Sequence, residues 1–194
     1  MTVHVGFIGL GTIGEPMAAN LLAKGFPLTI CGHRNRAPVE RLQAAGAQVV
    51  ADPQAVAAAS QIVVTCVPDA PQVREVCLGE HGLVHGAQPG LIVVDCSTIN
   101  PTESRQIAAE LSPHGIAMLD APISGGPERA GRGELAIMVG GTPEAYAQAE
   151  PVLHAMGRSV THVGPNGMGE VIKLANNMIC GNLMIAIAEA MTLA

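Results

Sequence analysis

Four groups of residues in this chain have types and spacings suited to chemistry. The first is Gly9-x-Gly11-x-x-Gly14 in "VGFIGLGTIGEPMAANLLAKG", which follows a strand-like run and opens a helical one. Glycines so spaced permit a tight turn at Gly9, close approach of a pyrophosphate at Gly11 and close helix packing at Gly14. The backbone of Leu10, Thr12 and Ile13 completes the loop, with free N–H groups at the helix start facing the anion. A bare glycine turn would use the same residues, but a strand before and a helix after are the context a dinucleotide site requires. The second group ends the next strand, "TICGHRNR". An NAD-binding protein normally places Asp or Glu there to hold the ribose 2′-hydroxyl; here stand His33, Arg34 and Arg36 and no acid. Guanidinium groups pair with a 2′-phosphate that a carboxylate would repel, so NADP is favoured and NAD remains possible. A solvated basic turn is the plainer alternative.

The third group comprises loops at the ends of later strands. Val67 and Pro68 in "VVTCVPDAPQV" turn the chain beside the nucleotide edge. In "VVDCSTINP", Ser97 could cap the following helix or touch cofactor, while Thr98 leans towards cofactor. "MLDAPISGGPERAG" ends a strand at Asp120 and then exposes the backbone of Ser124, Gly125 and Gly126. Such a run of N–H groups beside a small hydroxyl suits a carboxylate, though an ordinary turn would look the same. The fourth group lies in "GPNGMGEVIKLANNM", where Lys173 and Asn177 are four residues apart and so share a helix face. Taken alone, Lys173 in so apolar a run reads as a snorkelling lysine.

These residues need a scaffold that gathers strand ends on one edge. Short β-rich runs ("VHVGFIG", "PLTIC", "AQVV", "QIVVTCV", "LIVVDC", "IAMLD", "LAIMVG", "SVTHVG") alternate with helical stretches that often end in Gly. Alternation of this kind predicts an α/β fold, a doubly wound Rossmann-type, mostly parallel sheet, with ligands outside the carboxyl ends of the strands. It holds over residues 1–163, the expected dinucleotide-binding domain, and gives way at Gly164 to a glycine turn and one long helix over residues 164–194. The 194 residues contain no Trp, one Tyr and two Phe, so the core must be aliphatic. A net charge of −6 argues against a nucleic-acid partner. Five cysteines without a CxxC pair read as reduced core thiols of a cytoplasmic protein. The apolar run from Met178 contains Asn182 and Glu189 and is short for a membrane span, so it reads as a buried helix and not as a membrane anchor.

Four motifs in order, "GFIGLGTIGEPMAANL", "DCSTINP", "DAPISGG" and "GPNGMGEVIKLANN", resemble the β-hydroxyacid dehydrogenases, the family of 3-hydroxyisobutyrate dehydrogenase, tartronate semialdehyde reductase and the glyoxylate/succinic semialdehyde reductases. The resemblance runs from one end of the chain to the other. It implies that Ser124, Gly125 and Gly126 hold a substrate carboxylate, that Lys173 is the catalytic lysine with Asn177 orienting substrate, and that Thr98 lies against the nicotinamide ribose. Asn176 is left to support the helix or the lysine. Reduction of a carbonyl by hydride leaves negative charge on oxygen, which an ammonium can stabilise and protonate. Imine reductases, a related class, generally replace this lysine.

The resemblance also implies a following all-helical domain that closes the site and builds most of a dimer. The sequence stops at "AEAMTLA", inside the long helix. It therefore reads as a truncated chain, a natural fragment, or a protein that buries this helix against a second copy as a homo-oligomer. The first expectation is an NADP-dependent oxidoreductase acting on a small carboxylate-bearing 3-hydroxyacid or aldehyde-acid. The second is a dinucleotide-binding module with little turnover, serving in oligomerisation or sensing.

Overall fold

The structure is a computed structural model that describes residues 3–32 and 35–193. His33 and Arg34, two of the expected cofactor residues, lie outside the described residues. Six strands form the parallel body of the sheet: β1 (Val5–Ile8), β2 (Leu28–Cys31), β3 (Gln48–Val50), β4 (Ile62–Thr65), β5 (Ile92–Asp95) and β6 (Ala117–Asp120). They stand in the order β3-β2-β1-β4-β5-β6, so the chain reverses direction across the sheet between β1 and β4. That reversal is where an open α/β sheet leaves its crevice. β1, β2, β4 and β5 are buried at every residue, as expected of parallel strands covered on both faces.

The two faces carry separate aliphatic cores, and the period-2 alternation of each strand decides which residue joins which. Val5, Phe7, Ile62, Val64, Ile92 and Val94 pack on one side, with Met17 and Leu21 of helix α1 (Gly14–Ala23). Val39 and Leu42 of helix α2 (Ala37–Ala44) join that same side, while Ile8, Val63, Val93 and Met118 pack on the other, against helices α3 (Pro53–Ala58), α4 (Ala70–Leu78), α5 (Leu83–Gly86) and α6 (Pro101–Leu111). Helix α6 runs into a short 3-10 turn, Ser112–His114. Gly25 and Gly46 follow α1 and α2 at φ 86° and 109°, the left-handed stop predicted from sequence. Gly79 and Gly157, expected to do the same, are extended instead.

Beyond β6 the sheet becomes mixed. A two-residue strand β7 (Ile123–Ser124) and β6 both pair antiparallel with β8 (Leu135–Gly140), and the pairs Asp120↔Gly140, Ile123↔Ile137 and Ser124↔Ala136 keep one register. The chain from Asp120 to Ser124 is thus one strand line carried past the edge where β5 stops. Helix α7 (Gly126–Arg132) follows Ser124, and helix α8 (Pro143–Met156) leads to β9 (Gly157–Gly164), parallel to β8. β7, α3, α5 and α7 have no counterpart in the sequence reading, because elements of two to seven residues are too short to show a period.

The last helix, α9, spans Met168–Leu193. The expectation that its apolar run is buried is not met in the chain as it stands. Every exposed large hydrophobic side chain among the described residues lies on it, including Met178 at 69 %, Met184 at 68 % and Leu193 at 90 %. It is also longer than the run judged from sequence, and it is the one helix among the described residues long and apolar enough to cross a membrane by length and composition.

Candidate functional site at the carboxyl edge of the sheet

The glycine loop has the local geometry its spacing requires. Gly9 has φ 100°, and a side chain there would collide with the carbonyl of Cys66 and stand 3.1 Å from Val67 Cγ1. Val67 is therefore the loop's immediate neighbour, with Pro68 exposed beyond it. A side chain on Gly14 would strike the carbonyl of Gly9 and come within 3.1 Å of the Phe7 ring, so the third glycine lets α1 close onto β1. Around Gly11 no heavy atom of the described residues beyond its chain neighbours lies within 4 Å of where a Cβ would be, which leaves a bare cradle. Ile13 at the helix start makes no side-chain cap. The N–H groups of Gly11, Thr12, Ile13 and Gly14 have no backbone acceptor among the described residues, which fits a bound pyrophosphate.

At the end of β2, a side chain on Gly32 would stand 2.6 Å from Nη1 of Arg36, so that guanidinium lies over the turn between strand and helix. Arg41, one turn on, is engaged in a bidentate pair with Glu15 of α1 at 2.6 and 2.9 Å.

The loop after β5 shows what its helix cap and its first hydroxyl do. Asn100 caps α6, accepting from the Thr102 N–H at 2.8 Å. Ser97 is neither cap nor exposed ligand. Its Oγ donates to Asp95 Oδ1 at 2.6 Å and accepts from the Val67 N–H at 3.0 Å, tying the β4 and β5 loops together. Thr65 donates to the same Asp95 oxygen at 2.8 Å. Thr98 remains half-buried at the edge. Ser124 is half-buried, while Gly125 and Gly126 are exposed with φ 142° and 70°. Leu135 and Arg129 pack so near Gly125 that a Cβ would stand 3.0 to 3.1 Å from them.

The glycine turn before α9 is held from three sides. Asn166 donates from Nδ2 to the Met118 carbonyl at 2.6 Å, and Arg105 of α6 donates from Nε to the Asn166 carbonyl at 3.0 Å. Asp120, at the end of β6, accepts from the N–H groups of Gly167 at 2.7 Å and Glu170 at 3.2 Å. Any side chain on Gly169 would collide with the carbonyls of Met138 and Asp120, and one on Gly140 would meet the Asp120 carboxylate. The glycines of "GPNGMGE" therefore let a helix end settle directly on two strand ends.

Lys173 lies one turn further on, half-buried, and burial pushes its ammonium below the ordinary lysine value against the opposing field of Cys180 and Glu170. Asn176 is half-buried and Asn177 exposed. Asp120 and Glu170 were missed as site residues from sequence. The signal available was an acid at a strand end and another beside two glycines in an apolar run.

A cavity of about 280 Å³ lies elsewhere, around Val3 and Gln148, and one of about 360 Å³, around Thr142 and His162, reaches this edge only at Gly164, Pro165 and Asn166 of the glycine turn; neither is lined by the glycine loop or Lys173. No cluster of metal-ligating side chains is found among the described residues. All five cysteines are free, four of them at least partly buried; Cys180, on α9, is exposed, contrary to the expectation of core thiols throughout. Burial pushes the Cys31 and Cys66 thiols up to about 11, which keeps them protonated and unreactive.

Residues 4–164 match the family model of the NAD-binding domain of 6-phosphogluconate dehydrogenase. The chain belongs to that family. It is 43 % identical over 190 residues to the NAD-dependent L-serine dehydrogenase of Pseudomonas aeruginosa, covering 98 % of this chain and 63 % of the relative. It is 40 % identical over 189 residues to the mitochondrial 3-hydroxyisobutyrate dehydrogenase of Homo sapiens, covering 97 % and 56 %. The 3-hydroxyisobutyrate dehydrogenase of Mycobacterium tuberculosis, solved with L-serine, superposes with a TM-score of 0.93 at 34 % identity, over all of this chain and 65 % of the other. The chain thus spans roughly three-fifths of the length of these relatives, 63 % and 56 % of the two dehydrogenases compared by sequence. Its relatives are hydroxyacid dehydrogenases, and its fold is theirs.

Proposed function

We propose that this chain is the nucleotide-binding and proton-handling part of an NADP-dependent dehydrogenase for a small 3-hydroxyacid or aldehyde-acid. 3-Hydroxyisobutyrate, tartronate semialdehyde, glyoxylate and succinic semialdehyde are the substrate class, and L-serine has the same hydroxyacid skeleton. The observation that carries the reading is the pairing of a bare glycine cradle at Gly11 with a lysine held, through Asp120, on the same carboxyl edge. Gly9, Gly11 and Gly14 with the N–H groups between them would hold the pyrophosphate, Val67 and Pro68 would flank it, and Thr98 would stand at the nicotinamide ribose. Bound nicotinamide supplies or takes the hydride. Lys173 donates a proton to the substrate oxygen in reduction and, as the neutral amine, accepts it in oxidation. Ser124, Gly125 and Gly126 hold the carboxylate, and Asn177 orients the reacting carbon. Preference for NADP is supported by the absence of an acid after β2 and by Arg36 lying over Gly32.

Fluorescence titration with NADPH and with NADH, followed by addition of each candidate acid, tests this reading. Tighter NADPH binding that Lys173→Met leaves intact, with loss of any turnover, supports it; tighter binding of NADH removes the NADP assignment. Equal turnover in Lys173→Met overturns the catalytic role.

A second reading is favoured by the apolar surface of α9. A face this large is normally covered by protein. We propose that a second copy covers it, giving a homo-oligomer whose nucleotide-binding units turn over little by themselves. Sedimentation of the chain in solution decides this: a stable monomer overturns it, as does recovery only in detergent or lipid. The buried, unreactive thiols support a reducing, cytoplasmic setting.

A further inference from the structure

The least expected group on this edge is Glu170. It is fully buried, and neither carboxyl oxygen has a hydrogen-bond partner among the described residues. Its backbone N–H donates to Asp120. The side chain lies among the ends of three elements. Asp95 and Cys96 face it from the end of β5, Asp120 from the end of β6, and Lys173 from one turn along its own helix. The N–H of Ile99, in the loop beside Thr98, favours its charged form without closing a hydrogen bond. β8 brings no titratable side chain. On β9, His162 is bonded to the Gly141 carbonyl and Arg158 is exposed. Arg105 of α6 reaches the Asn166 carbonyl instead.

A carboxylate so placed would be buried, unbonded and beside two further acids, an arrangement whose cost is avoided by keeping the proton. We propose that Glu170 is a positioning residue, held as the neutral acid, which seats the first turn of α9 against the loop at residues 97–99 and so fixes where Lys173 stands relative to Thr98. A neutral carboxyl fills this space without adding to the charge of Asp95 and Asp120. A carboxylate would be driven towards water, and the route to water is separation of α9 from the 97–99 loop. Burial first, then the fields of Asp95 and Asp120, pushes the Glu170 carboxyl up to about 8, against the opposing pull of the Ile99 N–H and Lys173.

The folded state keeps a proton that the unfolded or locally opened state releases near the ordinary glutamate value of 4.5. Stability from this group is therefore full below about 4.5, falls as pH rises, and is gone above about 8. The proposal rests on the reading of Lys173 only for its catalytic consequence; its physical content shows even if the chain turns over nothing.

The test is amide hydrogen exchange at Glu170 and Val171, with thermal unfolding, for the 194-residue chain and for Glu170→Gln and Glu170→Ala. After correction for intrinsic exchange, opening of this turn in the unsubstituted chain should increase at least about tenfold between pH 6 and pH 9, since each proton unit of displacement is worth a factor of ten. Glu170→Gln, neutral at every pH and of the same shape, should stay within about twofold over that range and unfold at a higher temperature than the unsubstituted chain at pH 8. Glu170→Ala should open more readily at both pH values. Parallel pH profiles for the unsubstituted chain and Glu170→Gln overturn the proposal, and so does a Gln variant as loose as the Ala variant. If Glu170→Ala does not fold, the Gln comparison alone decides. Failure to bind NADPH with the exchange result intact would count against the proposed function and not against Glu170.

Discussion

Two of the helices that begin at the carboxyl edge of this sheet, α1 and α9, have first turns built in opposite ways. Among the described residues, the N–H groups of Gly11 to Gly14 at α1 are unpaired by backbone, Ile13 makes no side-chain cap, and a Cβ at Gly11 would touch nothing. At α9 the corresponding donors are consumed from within, by the Asp120 carboxylate of a strand six elements earlier in the chain. Both ends carry the positive pole of a helix dipole. One is left for an external anion; the other is neutralised internally, so that α9 offers the side of its second turn, where Lys173 stands, and not its end. The glycines differ accordingly. Gly11 makes room for a ligand, whereas Gly169 makes room for the carbonyls of Met138 and Asp120.

Removing the internal anion is the most severe way to break this contrast. Asp120→Ala leaves the Gly167 and Glu170 N–H groups buried and unpaired. With charge-assisted hydrogen bonds worth about 1.5–3 kcal/mol each, a loss near 3 kcal/mol is expected in chemical denaturation. Asp120→Asn keeps an acceptor and should lose less. Supplying an internal anion to α1 makes the two ends alike. Gly11→Asp has space for its side chain, so the fold should persist, while like-charge opposition to a pyrophosphate should weaken NADPH binding by about 100-fold in calorimetry, some 2.7 kcal/mol. A smaller effect sharpens the reading of the cradle's far end. Arg36→Ala should weaken NADPH about tenfold and leave NADH nearly unchanged, the loss of one charge-assisted contact. Equal weakening of both would place Arg36 away from the 2′-phosphate. The smallest effect concerns Lys173. Because burial lowers its proton affinity, any oxidation rate should reach half of its high-pH plateau below the ordinary lysine value of 10.5. A midpoint at or above that value would mean that the lysine is not desolvated.

The six-strand parallel body was readable because each of its strands is an apolar run punctuated by a turn, and burial of β1, β2, β4 and β5 on both faces makes that pattern insensitive to register. The glycine loop was readable for a related reason: a positive φ at Gly9 and the helix–strand contact at Gly14 are local demands that only one residue type meets. The extension from Asp120 to Ser124 and the helix after it were not readable. Two paired residues and seven helical ones carry too little pattern, and their placement depends on β8, which arrives later. Ser97 was misjudged because its partners, Asp95 and Val67, are brought together by pairing β5 beside β4 and not by any spacing in its own loop.

By itself, then, the sequence determined the residue types on which any chemistry here depends: three glycines that only a close-approaching backbone needs, an arginine without a competing acid, and a lysine on one face of an apolar helix. The tertiary structure alone decided that Asp120 anchors the helix bearing that lysine and that Glu170 ends up sealed beneath it. Those facts arise from residues about 50 positions apart meeting at strand ends (Asp120 with Glu170), and local pattern holds no information about which distant groups will exclude water from one another.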